Sequence, residues 1–571
     1  MYKINKLLLA GVVVAGGATL TGCNDFLDEN RDPLSQQTVN AAFWNNPVNV
    51  ENQTNYFYEV FSGYGNATGY GEFYFNTMSD DQSGTVGGNF RDWVYTSVPV
   101  SDSNWNTPYI YIRRANMILQ NVEGSTMTAA ERNNFLGLAH LFRAYNYYLL
   151  VRAYGDVPLV TKPLDVTDEA ELFGPRTSRN TVMDLVLEDL DFAVSNITTQ
   201  KSSTKFSKDL ALAMKAEICL FEGTYARYNA KDETRAKKFL EETVKACEAL
   251  MPNYSICDDY RSIYTTLNGG LANNPEIILT KCYIQGVFMH STIDYTSGST
   301  PIAGITKDAF DNYLFKDGKP LALTTRNTDD AAILLEDGTL SIADILAERD
   351  DRLAATTYDR VFYQDFPYQT ENTAPMTSTT GYGVRKYNNF AISYSDACTA
   401  NKNYTDAPIY WLAEINLAYA EAKAELGTLT DADVTNALNP LYHRAGLPDQ
   451  SLSSLSTMND PANNMGVSSL IWEIRRCRRC ELIMDNDIRY WDLIRWNMLE
   501  LLDTQKHPNV ARGANITNAT VSFTTDGGYM NPSPVLYGGK QRTFDKKYKL
   551  YPIPSEQRGL NEALTQNEGW N

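Results

Sequence analysis

The sequence predicts a mainly α-helical protein in which long irregular insertions interrupt pairs of amphipathic helices. Apolar residues recur at helical spacing through much of the chain, and helix-capping patterns mark several starts. Three stretches (62–106, 252–406 and 503–548) break this spacing and are rich in Gly, Thr, Asn, Ser, Pro and Tyr. With 571 residues, 43% of them hydrophobic, the chain can bury a sizeable core, which excludes the disordered class.

The N-terminus has the features of a secreted lipoprotein. Two lysines precede 14 mostly apolar residues at 7–20, which is shorter than the ~20 residues that span a bilayer. The following sequence, Leu-Thr-Gly-Cys at 20–23, resembles the lipobox of bacterial lipoproteins, in which the cysteine thiol is acylated. We therefore expect residues 1–22 to be a signal peptide and Cys23 to anchor the mature chain in outer-membrane lipid. Two or more acyl chains make such an anchor stable.

The charge balance narrows the choice of partners. The formal net charge is −19, and it becomes −21 without residues 1–22, which contain two lysines and no acidic residue. Such a surface repels phosphate backbones, so we expect no nucleic-acid partner. It also repels anionic membranes, so the attachment is expected to be the lipid and not a basic patch.

No cysteine or histidine pattern indicates a metal or cofactor site. Apart from Cys23 there are seven cysteines, an odd number, so at least one is unpaired within the chain. The single C-x-x-C, Cys477 and Cys480, lies inside an arginine-rich helical pattern and has no second ligand pair for zinc. The four histidines are scattered, and no catalytic or phosphate-binding motif occurs. We expect no cofactor.

The N-terminal half contains the clearest helices. Thr128 and Glu131 form a capping-box pattern before an apolar stripe that ends at Gly155. A second helical pattern covers 180–194, and Ser207 and Asp232 are predicted N-caps of two further helices separated by a short connection. Such a connection predicts an antiparallel hairpin. Since one hairpin leaves an apolar face open, several must stack.

The C-terminal half repeats this theme. Segments 409–427, 432–446 and 467–500 predict more helices. The size of the hairpins is typical of tetratricopeptide stacking, although the repeat is degenerate. Four arginines in 475–479 suggest an anion site, but on a helix they point in several directions, so pairing with neighbouring acids is favoured.

Two C-terminal segments resemble the SusD/RagB family of outer-membrane nutrient-uptake lipoproteins. The segment 550–570, "LYPIPSEQRGLNEALTQNEGW", is similar to the pattern near the end of that family, with Gln557 at a position usually held by Glu. The segment 478–496, "RRCELIMDNDIRYWDLIRW", is similar to a second family pattern, with Cys477 replacing its leading Glu. With the lipobox, the likeness runs from Cys23 to Trp570.

The resemblance implies a fold and a role. The fold is a single SusD-like domain, 23–571, of four tetratricopeptide-like helix pairs with large irregular loop insertions and short β-hairpins. Most helix pairs would lie in 23–255, and the ligand loops with further helices in 256–571. The role is that of a non-catalytic lipoprotein on the outer membrane, facing the extracellular side. It would bind oligosaccharide and cap a SusC-type TonB-dependent barrel during import, and acidic residues after Cys23 fit an export signal.

Ligand residues are expected in the loop after the first helices and in mid-chain loops. Aromatic rings stack on sugar faces, whereas Asp, Asn and Arg bind hydroxyl groups. The loop at 76–95 is rich in glycine and contains such residues, while the aromatics at 56–61 and 105–111 flank helices and are expected in the core. The candidate ligand residues are Asp81, Asn89, Arg91, Trp93, Tyr283, Tyr295, Tyr382 and Arg385. For each of them a structural role stays open; Trp93 would then cover a small core of its own loop.

Three other functions remain open at this point. Some members of the family serve peptide transport, which aromatic loops also suit. A surface glycoside hydrolase would need two carboxylates ~5–5.5 Å or ~6.5–9.5 Å apart in one cleft, and nothing singles out such a pair. A helical scaffold would have no ligand cleft.

Overall fold

The computed structural model confirms a mainly α-helical chain. It describes residues 41–66, 78–84, 93–297, 303–362, 368–369, 375–376, 378–519, 525–532 and 541–570. The predicted signal peptide and Cys23 lie outside the described residues. Among the helices that are described, none is both long and apolar enough to cross a bilayer.

Nine helices of eight or more residues occur within the described ranges. They are α1 Pro47–Asn55, α2 Ser103–Val122, α3 Ala129–Tyr154, α4 Arg179–Asn196, α5 Lys208–Tyr225, α6 Glu233–Leu250, α7 Leu412–Glu425, α8 Ser469–Glu481 and α9 Ile488–Arg495. Shorter helices are Ala41–Trp44, Glu169–Leu172, Ser262–Thr265, Thr292–Ser297, Lys307–Asn312, Ala343–Ala347, Asp351–Thr356, Tyr394–Ala397, Asp431–Asp433, Asn439–Arg444, Leu452–Thr457 and Ser555–Leu560.

The strands are short and lie mostly in the irregular insertions. They are β1 Gln82–Gly84, β2 Ile277–Lys281, β3 Ala303–Ile305, β4 Ile333–Leu334, β5 Leu340–Ser341, β6 Thr357–Val361, β7 Tyr368–Gln369, β8 Pro375–Met376, β9 Tyr382–Val384, β10 Ala407–Trp411, β11 Thr525–Asp526 and β12 Tyr529–Met530. Antiparallel pairs join β1 to β3, β2 to β10, β7 to β8 and β11 to β12, and one sheet has the order β4-β5-β6-β9.

The capping residues predicted from the sequence lie at the observed helix starts. Thr128 and Glu131 form the capping box of α3, and Gly155 ends that helix with a φ of 75°. Ser207 and Asp232 cap α5 and α6 through their side chains. The expectation of a helix from residue 409 was wrong, because 407–411 pairs with β2 and α7 begins only after that strand.

Successive helices pack against one another to make the core. The pairs α2/α3, α4/α5 and α6/α7 are in contact, and α8 is joined to α9 by a 2.8 Å bond between Arg478 Nε and Asp492 Oδ2. Close approach of α5 to α6 requires Gly223, because a Cβ there would lie 2.8 Å from Leu240. A large irregular insert separates α6 from α7, as the family resemblance implied.

The C-terminal segment 550–570 closes the end of α3. The backbone N–H of Tyr551 donates to the carbonyl of Ala153 (2.7 Å), and Asn567 Nδ2 donates to the carbonyls of Tyr154 (3.0 Å) and Tyr551 (2.7 Å). The Gln566 amide both donates to and accepts from the backbone of Ile553. These bonds satisfy backbone groups that a helix end leaves open, so this sequence motif has a structural role.

The four arginines of α8 are all buried and paired with acids, as favoured from the sequence. Most of the acids come from other elements and not from α8 itself. The pairs are Arg475 with Glu425 (3.1 Å), Arg476 with Glu473 (3.0 Å) and Asp460, Arg478 with Asp492 (2.8 Å), and Arg479 with Asp81 (2.8 Å) and Asp308 (2.7 Å).

Further buried ion pairs extend this network around α8. Removing one partner of such a pair leaves an uncompensated buried charge, which costs about 3–5 kcal/mol. The additional pairs are Arg352 with Asp350 (2.6 Å) and Glu481 (2.8 Å), Arg444 with Glu276 (2.6 Å) and Glu481, Arg495 with Glu421 (2.7 Å), and Lys386 with Asp485 (2.8 Å).

Cys477 and Cys480 are packing residues of α8. Both are buried, and the seven cysteines of the described residues are free thiols. Burial raises the pKa of both thiols, to about 11 for Cys477, although the guanidinium of Arg352 opposes the shift. The thiolate form required for redox chemistry is therefore disfavoured.

The buried carboxylate of Glu414 is paired only weakly, at the edge of this network. Glu414 of α7 lines a cavity of about 40 Å³ together with Glu217 of α5. Burial raises the pKa of Glu414 to about 8, the charge of Glu217 adds to this shift, and Arg478, 4.0 Å away, opposes it. Asp492 and Asp485 contribute further repulsion.

We predict that Glu414→Gln stabilises the protein more as the pH rises. The folded state binds a proton at Glu414 between pH values of about 4.5 and 8 whereas the unfolded state does not, so wild-type stability falls as pH rises through this window. The substitution removes that loss, which is on the order of 3–5 kcal/mol. Urea unfolding at about pH 5 and about pH 8.5 measures the effect. The exposed Glu188→Gln on α4 serves as control, and equal stabilisation at both pH values would contradict the prediction.

Candidate functional site

Three loop regions from distant parts of the chain meet on one side of the molecule. Strand β1, from the loop at 76–95, pairs with β3, with Ser83 opposite Gly304. Strand β3 and the short helix Thr292–Ser297 both contact β9. The three candidate regions predicted from the sequence are therefore adjacent in space, and we call this group of elements the loop cluster.

Hydrogen bonds between the loops fix the loop cluster. The Thr306 hydroxyl donates to the carbonyl of Asp80 (2.6 Å), and the Thr306 N–H donates to the carbonyl of Asp81 (3.0 Å). The Thr379 hydroxyl donates to the carbonyl of Ser83 (2.5 Å). A Cβ at Gly304 would lie 2.3 Å from the Thr380 hydroxyl, so this crossing admits only glycine.

Two adjacent carboxylates tie the loop cluster to α8 and α9. Arg489 binds both carboxylate oxygens of Asp80 at 2.7 Å, and Arg479 Nε binds Asp81 Oδ1 at 2.8 Å. Burial opposes ionisation of Asp80, but Arg479 and Arg489 outweigh it and lower its pKa. Burial raises the pKa of Asp81 despite the attraction of Arg479. Asp81 is fully buried against Arg479, which favours a structural role for this residue over the predicted contact with a ligand.

Trp93 packs inside the protein. Its side chain is 6% exposed, its indole Nε1 donates to the carbonyl of Thr543 (2.8 Å), and its ring stacks on Tyr548 with centroids 4.4 Å apart. Phe544 makes an edge contact with the same indole. This packing favours the structural alternative for Trp93, in which the indole covers a small core, over the predicted contact with a ligand.

Tyr283 and Tyr382 are also core residues, which favours their structural role over the predicted contact with a ligand. Tyr283 is fully buried, donates its hydroxyl to the carbonyl of Gly65 (2.5 Å) and stacks on Phe288 at 4.9 Å. Tyr382 is 1% exposed and stacks on Phe310 at 4.3 Å. Ring stacking within the core uses the faces that a ligand would need.

The structure describes two of the four remaining candidate ligand residues. Asn89 and Arg91 lie outside the described residues. Tyr295 and Arg385 are half-buried on the loop cluster, and Arg385 Nη1 donates to the carbonyl of Ala354 (3.0 Å). Arg385 directly follows β9, against which the helix carrying Tyr295 packs.

Sequence reasoning missed an aromatic residue near Arg385. Phe390 is 41% exposed, and the guanidinium of Arg261 lies 6.0 Å from its ring. The same guanidinium donates to the carbonyl of Arg385 (3.4 Å). The available signal was an apolar residue in the polar segment "KYNNFAIS", 386–393.

A cavity of about 270 Å³ lies next to the loop cluster and was also missed. Its floor includes buried arginines of α8 and the carboxylate of Asp80, so it shares Asp80 with the loop cluster. Three loops frame its mouth, at 320–322, 460–465 and 507–510. Within the described part of the chain, no group of three His, Cys, Asp or Glu side chains is arranged to hold a metal ion.

Comparison with known proteins decides the family. Residues 275–570 match a family model described as SusD family, and residues 25–220 match one described as starch-binding associating with outer membrane. The chain belongs to the SusD family. The resemblance found in the sequence is thereby confirmed.

Curated relatives carry the same family name. A SusD-like protein P38 of Formosa agariphila is 26% identical over 406 residues, which cover 69% of this chain and 72% of the relative. A SusD-like protein of Bacteroides ovatus is 23% identical over 185 residues, covering 30% of this chain and 34% of that protein.

Solved structures confirm the SusD-like fold. A SusD-like carbohydrate binding protein from Bacteroides fragilis superposes with a TM-score of 0.68 at 18% identity, covering 92% of this chain and all of that one. A laminarin binding SusD-like protein gives a TM-score of 0.54 at 18% identity, covering 91% and 99%.

We predict that Trp93→Ala destabilises this SusD-family protein by about 3–5 kcal/mol, because it removes a buried stacked indole. Trp93→Phe is the matched variant: it keeps a ring against Tyr548 but loses the bond to Thr543, so a loss of about 1–2 kcal/mol is expected. Urea unfolding gives both values. If Trp93→Ala unfolded at the same urea concentration as wild type, the indole would not pack as described.

Proposed function

We propose that this chain is a cell-surface lipoprotein that binds oligosaccharide and caps a SusC-type TonB-dependent barrel for glycan import. The observation that carries the proposal is the convergence of three loop regions in a chain whose two halves both match SusD-family models. The names of two solved neighbours, carbohydrate binding and laminarin binding, support a glycan ligand.

The proposed glycan face is the exposed side of the loop cluster around Arg385. Phe390 offers a partly open ring on which the C–H face of a sugar can stack, and Tyr295 and Arg385 are half-buried nearby. Guanidinium groups donate to several hydroxyls from one plane. Asn89 and Arg91, in the sequence that follows β1, complete the proposed set of polar contacts.

The proposed attachment is the acylated Cys23, which would hold the protein on the outer membrane, facing the extracellular side. The family description "associating with outer membrane" supports this location. The net charge of −21 after signal removal argues against adhesion by a basic patch. The lipid and the SusC-type barrel are then its two membrane partners, and co-purification with such a barrel in mild detergent tests the second.

The proposed role is binding without catalysis. A glycoside hydrolase needs one carboxylic acid and one carboxylate that are free to act on the substrate. Four carboxylates that line the cavity are instead held by cationic side chains: Asp80 by Arg489, Asp308 by Arg479, Asp460 by Arg476 and Asp311 by Lys307.

We predict that Phe390→Ala weakens oligosaccharide binding about tenfold or more, because a stacking residue at the centre of a site carries a large share of the binding energy. Arg385→Ala is expected to act in the same direction. Isothermal titration against glycans selected on an array measures both. Phe173→Ala is the matched control, since Phe173 is 55% exposed on another element. Unchanged affinity of Phe390→Ala for the oligosaccharide would show that this face is not the binding site. If the protein bound peptides instead of glycans, the proposed ligand class would be wrong.

We predict that Cys23→Ala leaves the protein unlipidated and absent from the cell surface, because its thiol is the proposed acylation site. Protease shaving of intact cells measures surface exposure. Cys257→Ala, which changes a cysteine within the folded body, is the control and should stay on the surface. Equal surface labelling of Cys23→Ala and wild type would refute the anchor.

A further inference from the structure

The cavity beside α8 has the dimensions of a site for one small molecule. Its volume is about 270 Å³, slightly below the ~300–1,000 Å³ typical of ligand pockets. We propose that it is a second binding site, distinct from the glycan face, for a single neutral sugar ring or a cyclic polyol of that size. The lining of the cavity alone supports this site, which is therefore independent of the proposed function.

The charges around the cavity favour a neutral ligand. Its lining includes four arginines, and each already binds a carboxylate, so no guanidinium is left to neutralise an anion. Three carboxylates of the lining, Asp80, Asp308 and Asp460, are held in the same pairs, and the fourth, Asp311, is held by Lys307, so they offer little to a cation. The pairs are Arg475 with Glu425, Arg476 with Asp460, Arg479 with Asp308, and Arg489 with Asp80.

The uncharged polar groups of the lining suit hydroxyls. Asn312 donates its amide to the carbonyl of Asp308 (3.1 Å), which leaves its side-chain oxygen to accept. Asn509 accepts from Arg512 (3.2 Å), which leaves its amide to donate. The side chains of Asn464 and His507 make no hydrogen bond to the described residues. A hydroxyl both donates and accepts, so a polyol can use all four.

Arg475 also lines the cavity, with 1% of its side chain exposed. Its Nε lies 3.7 Å from Glu421 Oε1, its Nη2 pairs with Glu425 at 3.1 Å, and its Nη1 lies 3.6 Å from the thioether sulfur of Met465. This guanidinium is therefore held by protein groups and leaves no charge for an anion.

The apolar part of the lining matches the C–H face of a ring. Trp472 is 7% exposed, and its Nε1 donates to Asp460 (3.1 Å), which fixes the indole plane. Met465, Leu321 and Val510 add aliphatic surface. Small ligands with polar atoms on every side would leave this surface unused, whereas a sugar or cyclitol presents both kinds of face.

The mouth of the cavity is open to solvent. Leu321 is 38% exposed, and Ala322, Ala462 and Asn464 on the facing loops are exposed as well. A ligand can therefore enter without unfolding any helix. The exposed alanines also allow the mouth to be closed by substitution without removing any polar group of the lining.

The test uses full-length lipoprotein purified in a detergent without a sugar headgroup. Titration calorimetry is run with a panel of neutral monosaccharides and with myo-inositol. Ala462→Trp fills the mouth, and Ala130→Trp, at an exposed position in the first turn of α3, is the matched control. Asn464→Ala and His507→Ala each remove one partly exposed polar group, and melting curves verify that all variants fold.

The proposal expects at least one monosaccharide or inositol to bind wild type and Ala130→Trp, but not Ala462→Trp. Asn464→Ala and His507→Ala should each weaken it about fivefold. Phe390→Ala should leave this binding unchanged. If Ala462→Trp also weakens binding of an oligosaccharide, the cavity is part of the glycan site, and the proposal of a second, distinct site is overturned.

The proposal is overturned if none of these neutral compounds binds wild type, or if their binding survives Ala462→Trp. It is also overturned if Phe390→Ala abolishes their binding, because the glycan face alone would then account for the binding of both the small compounds and the oligosaccharide. Failure of wild type to bind oligosaccharide, with intact monosaccharide binding, would refute the glycan face while leaving the cavity site in place.

Discussion

The rest of the structure depends on the buried ion pairs of α8. Four guanidinium groups in five consecutive positions, 475–479, are removed from water, and each requires a carboxylate to remain charged there. The carboxylates come from α7, from α9 and from loops far away in the sequence. One helix therefore specifies where elements separated by up to 400 residues must meet, and it does so through directional bonds that an apolar helix face could not supply.

The same pairs determine how the candidate sites are built. Asp80 and Asp81 hold β1 against α8 and α9, and β1 in turn holds β3 beside β9. The loops that carry the proposed glycan face are thus fixed to a helix in the core, which keeps their side chains in a defined geometry. The cavity is lined by Asp80 and by the guanidinium groups of Arg479 and Arg489, so both candidate sites are built on the same buried ion pairs.

Helices and family were predictable from the sequence because their signals are local. The capping box at Thr128, the N-caps Ser207 and Asp232 and the C-terminal motif are each readable within a few residues. The site residues were not, because burial is decided by distant partners. Trp93 is covered by residues about 450 positions later, Tyr382 stacks on Phe310, and the hydroxyl of Tyr283 donates to the carbonyl of Gly65, 218 positions earlier. Aromatic residues suit both packing and sugar binding, so their type alone does not separate the two uses.

The closure of α3 by the last residues of the chain has a consequence for the order of folding. The carbonyl of Tyr154 receives its partner from Asn567, which is synthesised 413 residues later. The C-terminal end of α3 therefore lacks this partner until residue 567 has been made, and contacts of such long range form slowly. Interruption of synthesis before that residue leaves the carbonyl of Tyr154 without the amide that binds it in the folded protein.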